Sequence, residues 1–475
     1  MQWNRVTLPA ALLIVVPATT APQPSVPTPT VSGPIPSPAN PGEPSRNYPF
    51  FSTKDVIEQY DYIEEEYFVE GLAPELLVEG DTTASVASGG PHPYKTRVIV
   101  RRPKSPQRFN GTVILEWINA VAARRYDFET DWNMVHEHLM RRGFVHVGVS
   151  AQAFGIDPPT GLKGWNPARY GSLDVTAGGR FTNDQLSFAI FSQVAQALKK
   201  PSRPGMLGGL EVRNVIATGQ SGSAVRLTRY YNSVHPLDGV IDGFVLHGPV
   251  VGGAVRTDLR TPAWKLLAET DVIFGQGAVR QPDSDFFRTW EVAGTSHLDV
   301  DTWMAHDRLR ARDLSPVAVS TPGCQRPTRS RVPARLVQEA VYDWMKRWVE
   351  GAARPPNAPP IVLTSVGKLG GAAEDRVSVA ARDPDGNALG GIRLAQFAVA
   401  VATNTGWNDG PGFCRVSGSH EPFPPDKVAR LYPTAAKYVA EVDRITAENL
   451  KAGYITPEGA ALTRQDAARW KGPGT

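Results

Sequence analysis

The run Val215-Ile216-Ala217-Thr218 is β-branched or small and apolar, and it stops at Gly219-Gln220-Ser221-Gly222-Ser223 before a helix-compatible stretch from Ala224. Few folds accept such a sequence. A strand that ends in a serine flanked by small residues, and turns at once into a helix, leaves the serine hydroxyl clear of its neighbours. The turn is strained and brings strand and helix close together, so only small residues fit beside it. Gly219, Gly222 and Ser223 meet that need. The Gly222 N–H, at a helix N-terminus where backbone donors lack partners, would face charge developing near Ser221.

Two further residues follow in order. Asp271 comes just past the apolar run 263–267, and His297 just past the run 290–293. Serine, acid and histidine in that order, each beyond the C-terminal end of a strand, is how open α/β sheets assemble a nucleophile, a base and the acid that orients it. Glu269 is the alternative acid, since a longer carboxylate reaches the same imidazole nitrogen. His235 and His247 are the rival bases. His235 precedes Pro236 at a helix end and reads as structural, whereas His247 ends the strand after Ser221 and could line a pocket. His136 and His138 stand two apart on a helix, on different faces, and make no zinc motif. Ser150 also follows a strand but lacks a small residue two positions on. Asp299 and Asp301 read as solvated, and Trp117, Trp132 and Trp165 as core.

Around this centre the chain alternates strand-like and helix-like segments. Strands are expected at 97–100, 112–117, 145–149, 215–218, 243–246, 263–267 and 290–293. Their near-continuous apolar character fits strands covered on both faces. Helices are expected at 132–142, 186–198, 224–234 and 336–351, the last with Val337, Val341, Trp344 and Trp348 on one stripe. The alternation predicts an α/β fold with a mostly parallel sheet. The Gly- and Pro-rich segment 152–179 is long enough to hold small elements of its own and to wall the site.

The chain's ends read differently. Arg5, the apolar run from Leu8 to Val16 and the small residues after it look like an export signal over 1–21. That run is too short to span a bilayer, and no later segment is a better candidate. Residues 22–46, dominated by Pro, Ser and Thr, predict an extended linker. The core that holds these residues is expected over 47–351, and 352–475 as an appended region packed on it. With export, the two cysteines, Cys324 and Cys414, suggest a disulfide; as a pair they are too few for a structural zinc site. A net charge of +3 gives no reason to expect a nucleic-acid partner, and Arg308, Arg310 and Arg312 read as a solvated helix face.

The motifs together resemble the α/β-hydrolase superfamily, and most closely bacterial proteins described as "alpha/beta hydrolase domain" proteins. The likeness is carried by Glu116-Trp117-Ile118-Asn119, Gly219-Gln220-Ser221-Gly222-Ser223, Asn232-Ser233-Val234-His235-Pro236-Leu237, Asp242-Gly243-Phe244, Glu269-Thr270-Asp271, Glu291-Val292-Ala293-Gly294-Thr295-Ser296-His297 and Gly390-Gly391-Ile392-Arg393-Leu394. It extends from about Tyr60 to the C-terminus. The resemblance implies the α/β-hydrolase fold and a Ser-acid-His triad, and names no substrate. In the family the loop after the Glu-Trp strand carries paired glycines. Here it reads Asn119-Ala120-Val121-Ala122-Ala123.

These readings converge on an exported or cell-envelope serine hydrolase that cleaves a small or lipid-like carboxylic ester through an acyl-enzyme. Ser221 is the expected nucleophile, His297 the base and Asp271 the acid. The N–H groups of Gly222 and of a residue in 119–121, Ala120 foremost, form the expected oxyanion hole. No cofactor or metal is expected. Segments 152–179 and 390–394 are expected over Ser221, with Arg393 meeting either a carboxylate in the pocket wall or an acidic group of the substrate. An amidase or an acyltransferase on the same triad, and a non-catalytic binding protein that keeps the fold, are the alternatives.

Overall fold

The computed structural model describes residues 26–78, 82–120, 125–157, 159–181, 184–201, 205–249, 251–314, 323–368 and 377–472. The expected export signal, and Val121, lie outside the described residues.

A nine-stranded sheet organises the chain: β1 (Thr30–Ser32), β2 (Tyr62–Leu77), β3 (Ser85–Pro103), β4 (Thr112–Trp117), β5 (Val145–Val149), β6 (Asn214–Gln220), β7 (Gly243–His247), β8 (Ala263–Ala268) and β9 (Phe287–Val292). The spatial order is β1-β2-β3-β5-β4-β6-β7-β8-β9. From β5 to β9 every neighbouring pair is parallel, and β1, β2 and β3 add an antiparallel edge. Strand order reverses between β4 and β6, and the crevice outside such a reversal is where open α/β sheets place their sites.

Helices cover both faces. On one lie α1 (Thr130–Arg141) and, later in the chain, Arg335–Val349; on the other lie α2 (Ser187–Lys199) and α3 (Gly222–Arg229). Successive strand residues alternate between the two cores. Val113, Leu115, Val215, Ala217, Phe244 and Leu246 face one, and Ile114, Ile216 and Val245 the other. All are fully buried, and each such aliphatic side chain contributes on the order of 2 kcal/mol. Trp117, Trp132 and Trp165 belong to these cores as well.

Two elements depart from the sequence reading. The long hairpin of β2 and β3 extends well beyond the single short strand expected at 97–100. Its acidic stretch Glu64-Glu65-Glu66 hides the strand from a hydropathy reading. In the fold these carboxylates pair across the ladder: Arg101 Nε donates to Glu64 at 2.8 Å, Arg102 lies 2.9 Å from Glu65, and Arg97 bonds Glu66. The second departure is the expected linker. Its described part, residues 26–46, lies on the body of the protein. Thr30–Ser32 pairs with β2, Ala39 is buried, and Pro36 O accepts from Arg169 at 2.8 Å. Edge pairing and side-chain anchors order a segment whose own composition could not.

The region after residue 351 docks on the far edge of the sheet. Ile392 pairs in parallel with Val292 at the end of β9, and a smaller apolar cluster joins Ala395, Phe423, Val428, Val442 and Ala467. Cys324 and Cys414 form a disulfide with Cα atoms 5.5 Å apart. The arginine face of helix α4 (Val300–Asp313) is less solvated than expected: Arg310 is buried beside Asp307 at 3.1 Å, and Arg312 is 2.8 Å from Asp313.

Candidate active site

Ser221 stands at the tip of the turn from β6 into α3, with φ 62° and ψ −122°. A left-handed backbone at a residue other than glycine costs on the order of 1–3 kcal/mol and persists only where its surroundings impose it. They do so here. Ser221 N–H donates to His247 O at 3.0 Å, and Ser221 O accepts from Val225 at 3.1 Å. A Cβ at Gly219 would lie 3.0 Å from Ser223 Cβ and 3.1 Å from Leu227. That is the steric reason for small residues beside the serine. Gly222 opens α3, so its N–H has no acceptor within the helix.

Asp271 and His297 meet directly, with His297 Nδ1 2.7 Å from Asp271 Oδ1. The other carboxylate oxygen accepts the Ala268 N–H at 2.7 Å. The close fit needs a glycine at 248: φ there is +57°, and a Cβ would come 2.8 Å from Asp271 Oδ2 and 3.1 Å from His297 Nδ1. Glu269, the alternative acid, faces elsewhere. It is fully buried and accepts from Gly294 N at 2.8 Å, Gly406 N at 3.0 Å and Arg382 at 2.8 Å. Thr270 Oγ1 accepts the His297 N–H at 3.0 Å and itself donates to Gly406 O. The C-terminal region thereby grips the turn that carries the acid and, through it, the histidine.

The second ring nitrogen of His297 lies 2.9 Å from Gln220 Nε2. Gln220 Oε1 in turn accepts from Asn119 Nδ2 at 3.2 Å. Ser221 Oγ has no hydrogen bond among the described residues, and the imidazole is met instead by Gln220, the residue before it in the chain. Sequence reasoning missed Gln220. Its place before the serine was visible, but the direction of its side chain was not.

The second oxyanion donor is expected on the loop after β4. Asn119 N–H is taken by Phe128 O at 3.2 Å, which removes Asn119 as a backbone donor. Ala120 N–H has no acceptor among the described residues, while Ala120 O accepts from Gln152 Nε2 at 3.1 Å. Residue 152 begins the segment expected to wall the site, and that segment folds into the short helices Ala153–Ile156, Leu162–Trp165 and Pro167–Tyr170.

His247 has its own partner: Nδ1 lies 2.6 Å from Asp131 Oδ1, which also accepts from Gln338 Nε2 at 2.7 Å. Burial opposes protonation of this ring, but Asp131, with Asp271 and Asp299, outweighs it and holds the imidazole above its ordinary range. Asp299 is buried rather than solvated. It caps α4 by accepting from Thr302 N at 2.8 Å, and burial, with Asp301 nearby, pushes its carboxyl up to about 6. A cavity of about 20 Å³, room for one water, lies among His247, Asp271, His297, Asp299 and Thr302. The other rivals fall to structural roles. His235 Nε2 sits 2.7 Å from Thr261 Oγ1, and Ser150 is fully buried, donating to Asp127.

Arg393 is not brought to the site. Its guanidinium donates to Ala388 O at 3.1 Å, lies 3.5 Å from Asp383 and stacks over Phe397 at 5.0 Å. Its neighbour Ile392 extends the sheet beyond β9. Four strand spacings separate that position from β6, about 19 Å at the usual spacing. Residues 390–394 therefore brace the sheet edge instead of covering Ser221. Among the described residues no group of three or more His, Cys, Asp or Glu is placed to hold a metal ion.

A family model described as "Alpha/beta hydrolase domain" matches residues 31–465, and the chain belongs to that family. No curated protein matches it. Solved structures with a partial likeness include a fungal esterase from Rhizomucor miehei, 12% identical over 64% of this chain and 90% of that one, with a TM-score of 0.29. An alpha-beta serine hydrolase homologue from Coxiella burnetii is 11% identical over 46% and 90%, with a TM-score of 0.27. Acetyl xylan esterase 1 from a Thermoanaerobacterium species is 12% identical over 39% and 48%, with a TM-score of 0.21. Likenesses this slight carry no functional argument.

Proposed function

We propose that the protein is a serine hydrolase of carboxylic esters with Ser221 as nucleophile, His297 as base and Asp271 as acid. The observation that carries this reading is the 2.7 Å contact of His297 Nδ1 with Asp271 Oδ1 beside a serine held at φ 62°. In the reaction Ser221 Oγ attacks the ester carbonyl while His297 Nε2 takes its proton. Asp271 keeps the other ring nitrogen protonated and stabilises the imidazolium. The N–H groups of Gly222 and Ala120 receive the oxyanion. Collapse expels the alcohol, which leaves with the proton from His297. A water activated by the same histidine then releases the acid and restores Ser221.

Export is part of the proposal. The Cys324–Cys414 disulfide fits an oxidising compartment, and among the described residues no helix is long and apolar enough to cross a membrane.

The test is covalent labelling with a fluorophosphonate probe, followed by peptide mapping. Labelling at Ser221, lost in Ser221→Ala together with turnover of nitrophenyl esters, is the expected result. A variant that retains more than about a tenth of wild-type turnover, a difference of only ~1.4 kcal/mol in barrier, would overturn the assignment.

A further inference from the structure

Three buried carboxylates gather around His247 and His297, and no permanent cation balances them. Asp131, Asp271 and Asp299 are each 1% exposed. Among the described residues no lysine or arginine pairs with any of the three; Asp131 meets His247, and Asp271 meets His297. Asp299 Oδ2 has no partner among the described residues. A buried carboxylate needs a compensating charge, and where none stands close it takes up a proton instead. His297 cannot supply that charge and still accept the proton of Ser221. His247 can. Its Nδ1 lies 2.6 Å from Asp131 Oδ1, and with Asp271, His297 and Asp299 it lines one small cavity. Its backbone ties it to the nucleophile, since His247 O accepts the Ser221 N–H at 3.0 Å.

We propose that His247 is a positioning residue whose imidazolium, paired with Asp131, carries the counter-charge of this acidic pocket and leaves His297 neutral to act as the base. The inference rests on the triad reading above. His247 acts through His297, not on the ester. A positive ring at 247 makes a proton on His297 Nε2 more costly. It also favours the ionised form of Asp271, the form that orients the His297 Nδ1–H. Asp131 keeps the charge in place. Its Oδ1 also accepts from Gln338 Nε2 at 2.7 Å, and its Oδ2 accepts from Thr218 Oγ1 at 2.6 Å. Both oxygens are therefore fixed, and the carboxylate stays turned to the ring.

The groups that face His247 come from several elements. Asp131 lies in the first turn of α1. Behind it Glu116 of β4 accepts the Asp131 N–H at 3.0 Å and meets His146 at 2.9 Å. Asp271 follows β8, His297 follows β9 and Asp299 precedes α4. The helix Arg335–Val349 contributes Gln338, which does not titrate, and Tyr342, whose OH lies 2.9 Å from Thr218 Oγ1 and whose phenol burial keeps neutral. Burial works against a charge on His247, and Asp131, Asp271 and Asp299 together outweigh it.

The experiment reads the ring first and then the enzyme. The Cε1–H NMR signal of His247, assigned by its absence in His247→Gln, should titrate above about 6.5 in wild type and about one pH unit lower in Asp131→Asn. The acid limb of kcat/KM on 4-nitrophenyl acetate should move up by about one pH unit in His247→Gln, since the remaining carboxylates then favour a proton on His297. Well below the limb that is about a tenfold loss, whereas at pH 9, where residue 247 is neutral in both proteins, the rates should agree within about threefold. Asp131→Asn should move the limb the same way by less, and serves if His247→Gln does not fold. A wild-type ring that titrates at or below about 6.5, or a limb that stays put in folded variants, overturns the counter-charge and leaves the triad intact. A loss in His247→Gln that is uniform with pH overturns it too, because a residue that only packs would give that result. Absence of fluorophosphonate labelling at Ser221 in wild type instead overturns the triad and, with it, the role given to His297, whatever the ring titration shows.

Discussion

Glu269 and Asp271 stand two residues apart on one helical turn and serve opposite ends of it: Asp271 Oδ1 lies 2.7 Å from His297 Nδ1, while Glu269 accepts from Gly294, Gly406 and Arg382. Their amide variants should therefore fail differently. Asp271→Asn keeps the packing but cannot hold the histidine proton on Nδ1, and turnover should fall by on the order of 10⁴-fold with little change in melting temperature. Glu269→Gln leaves Arg382 without its carboxylate and weakens the grip on the histidine loop. It should lower stability by about 2–4 kcal/mol, discounted because Arg382 is partly exposed, and retain most of kcat at low temperature. Steady-state kinetics and thermal melts on both variants check the pair. A larger catalytic loss in a folded Glu269→Gln would reverse the assignment.

Much of this was legible from residue types. The runs 112–117, 145–149, 243–246 and 263–267 announce themselves because a strand covered on both faces has little choice but apolar residues. The turn at Ser221 is legible because its sterics demand small neighbours. Asp271 is preferred over Glu269 in the sequence on position alone, since two acids at that spacing differ only in where each side chain turns. β2 was hidden for a similar reason: its glutamates look solvated until the arginines of β3 are known to lie opposite. Arg393 was misplaced because sequence proximity to paired glycines says nothing of which sheet edge receives the segment.

Gly248 tests how closely the acid–base pair is fitted. Its φ of +57° disfavours any side chain, and an added Cβ would lie 2.8 Å from Asp271 Oδ2. Gly248→Ala should displace the pair by a few tenths of an ångström. The expected loss is about 10–100-fold in kcat, with KM changed much less, because misplacement of the base acts on the chemical step. An unchanged kcat in the folded variant would mean that the pair has slack the geometry does not suggest.

The disulfide closes a long loop, with Cys324 and Cys414 separated by 90 positions in the sequence. Loss of the constraint on the unfolded chain should cost roughly 2–5 kcal/mol in the double Cys→Ser variant. The region it ties down reaches the acid turn through Gly406. Heat inactivation of esterase activity should therefore move to lower temperature together with the calorimetric transition. A variant that melts as wild type does would show that packing alone holds the region in place.

Asp127 offers a pH test of the loop that carries Ala120. Its carboxyl is buried, with one oxygen accepting from Ser150 and Oδ1 without a partner among the described residues. Oδ1 is pressed against Gly155, where an added Cβ would be only 1.7 Å away. Burial pushes this carboxyl up to about 7, against the opposing pull of Ser150 and Arg97. Because the folded-state value lies above the unfolded one, the stabilising contribution is complete below pH ~4 and is lost as pH rises through about 7. The shift is worth on the order of 2–4 kcal/mol across that window. Asp127→Asn cannot ionise and should not show this loss. Urea unfolding at pH 5 and pH 8 should find wild type losing more stability between the two than the variant, by about that amount. Asp299 titrates in the same direction in both proteins, so it leaves the difference untouched. Equal losses in wild type and variant would mean that Asp127 ionises freely within the fold, and that the loop beside Ala120 opens to water.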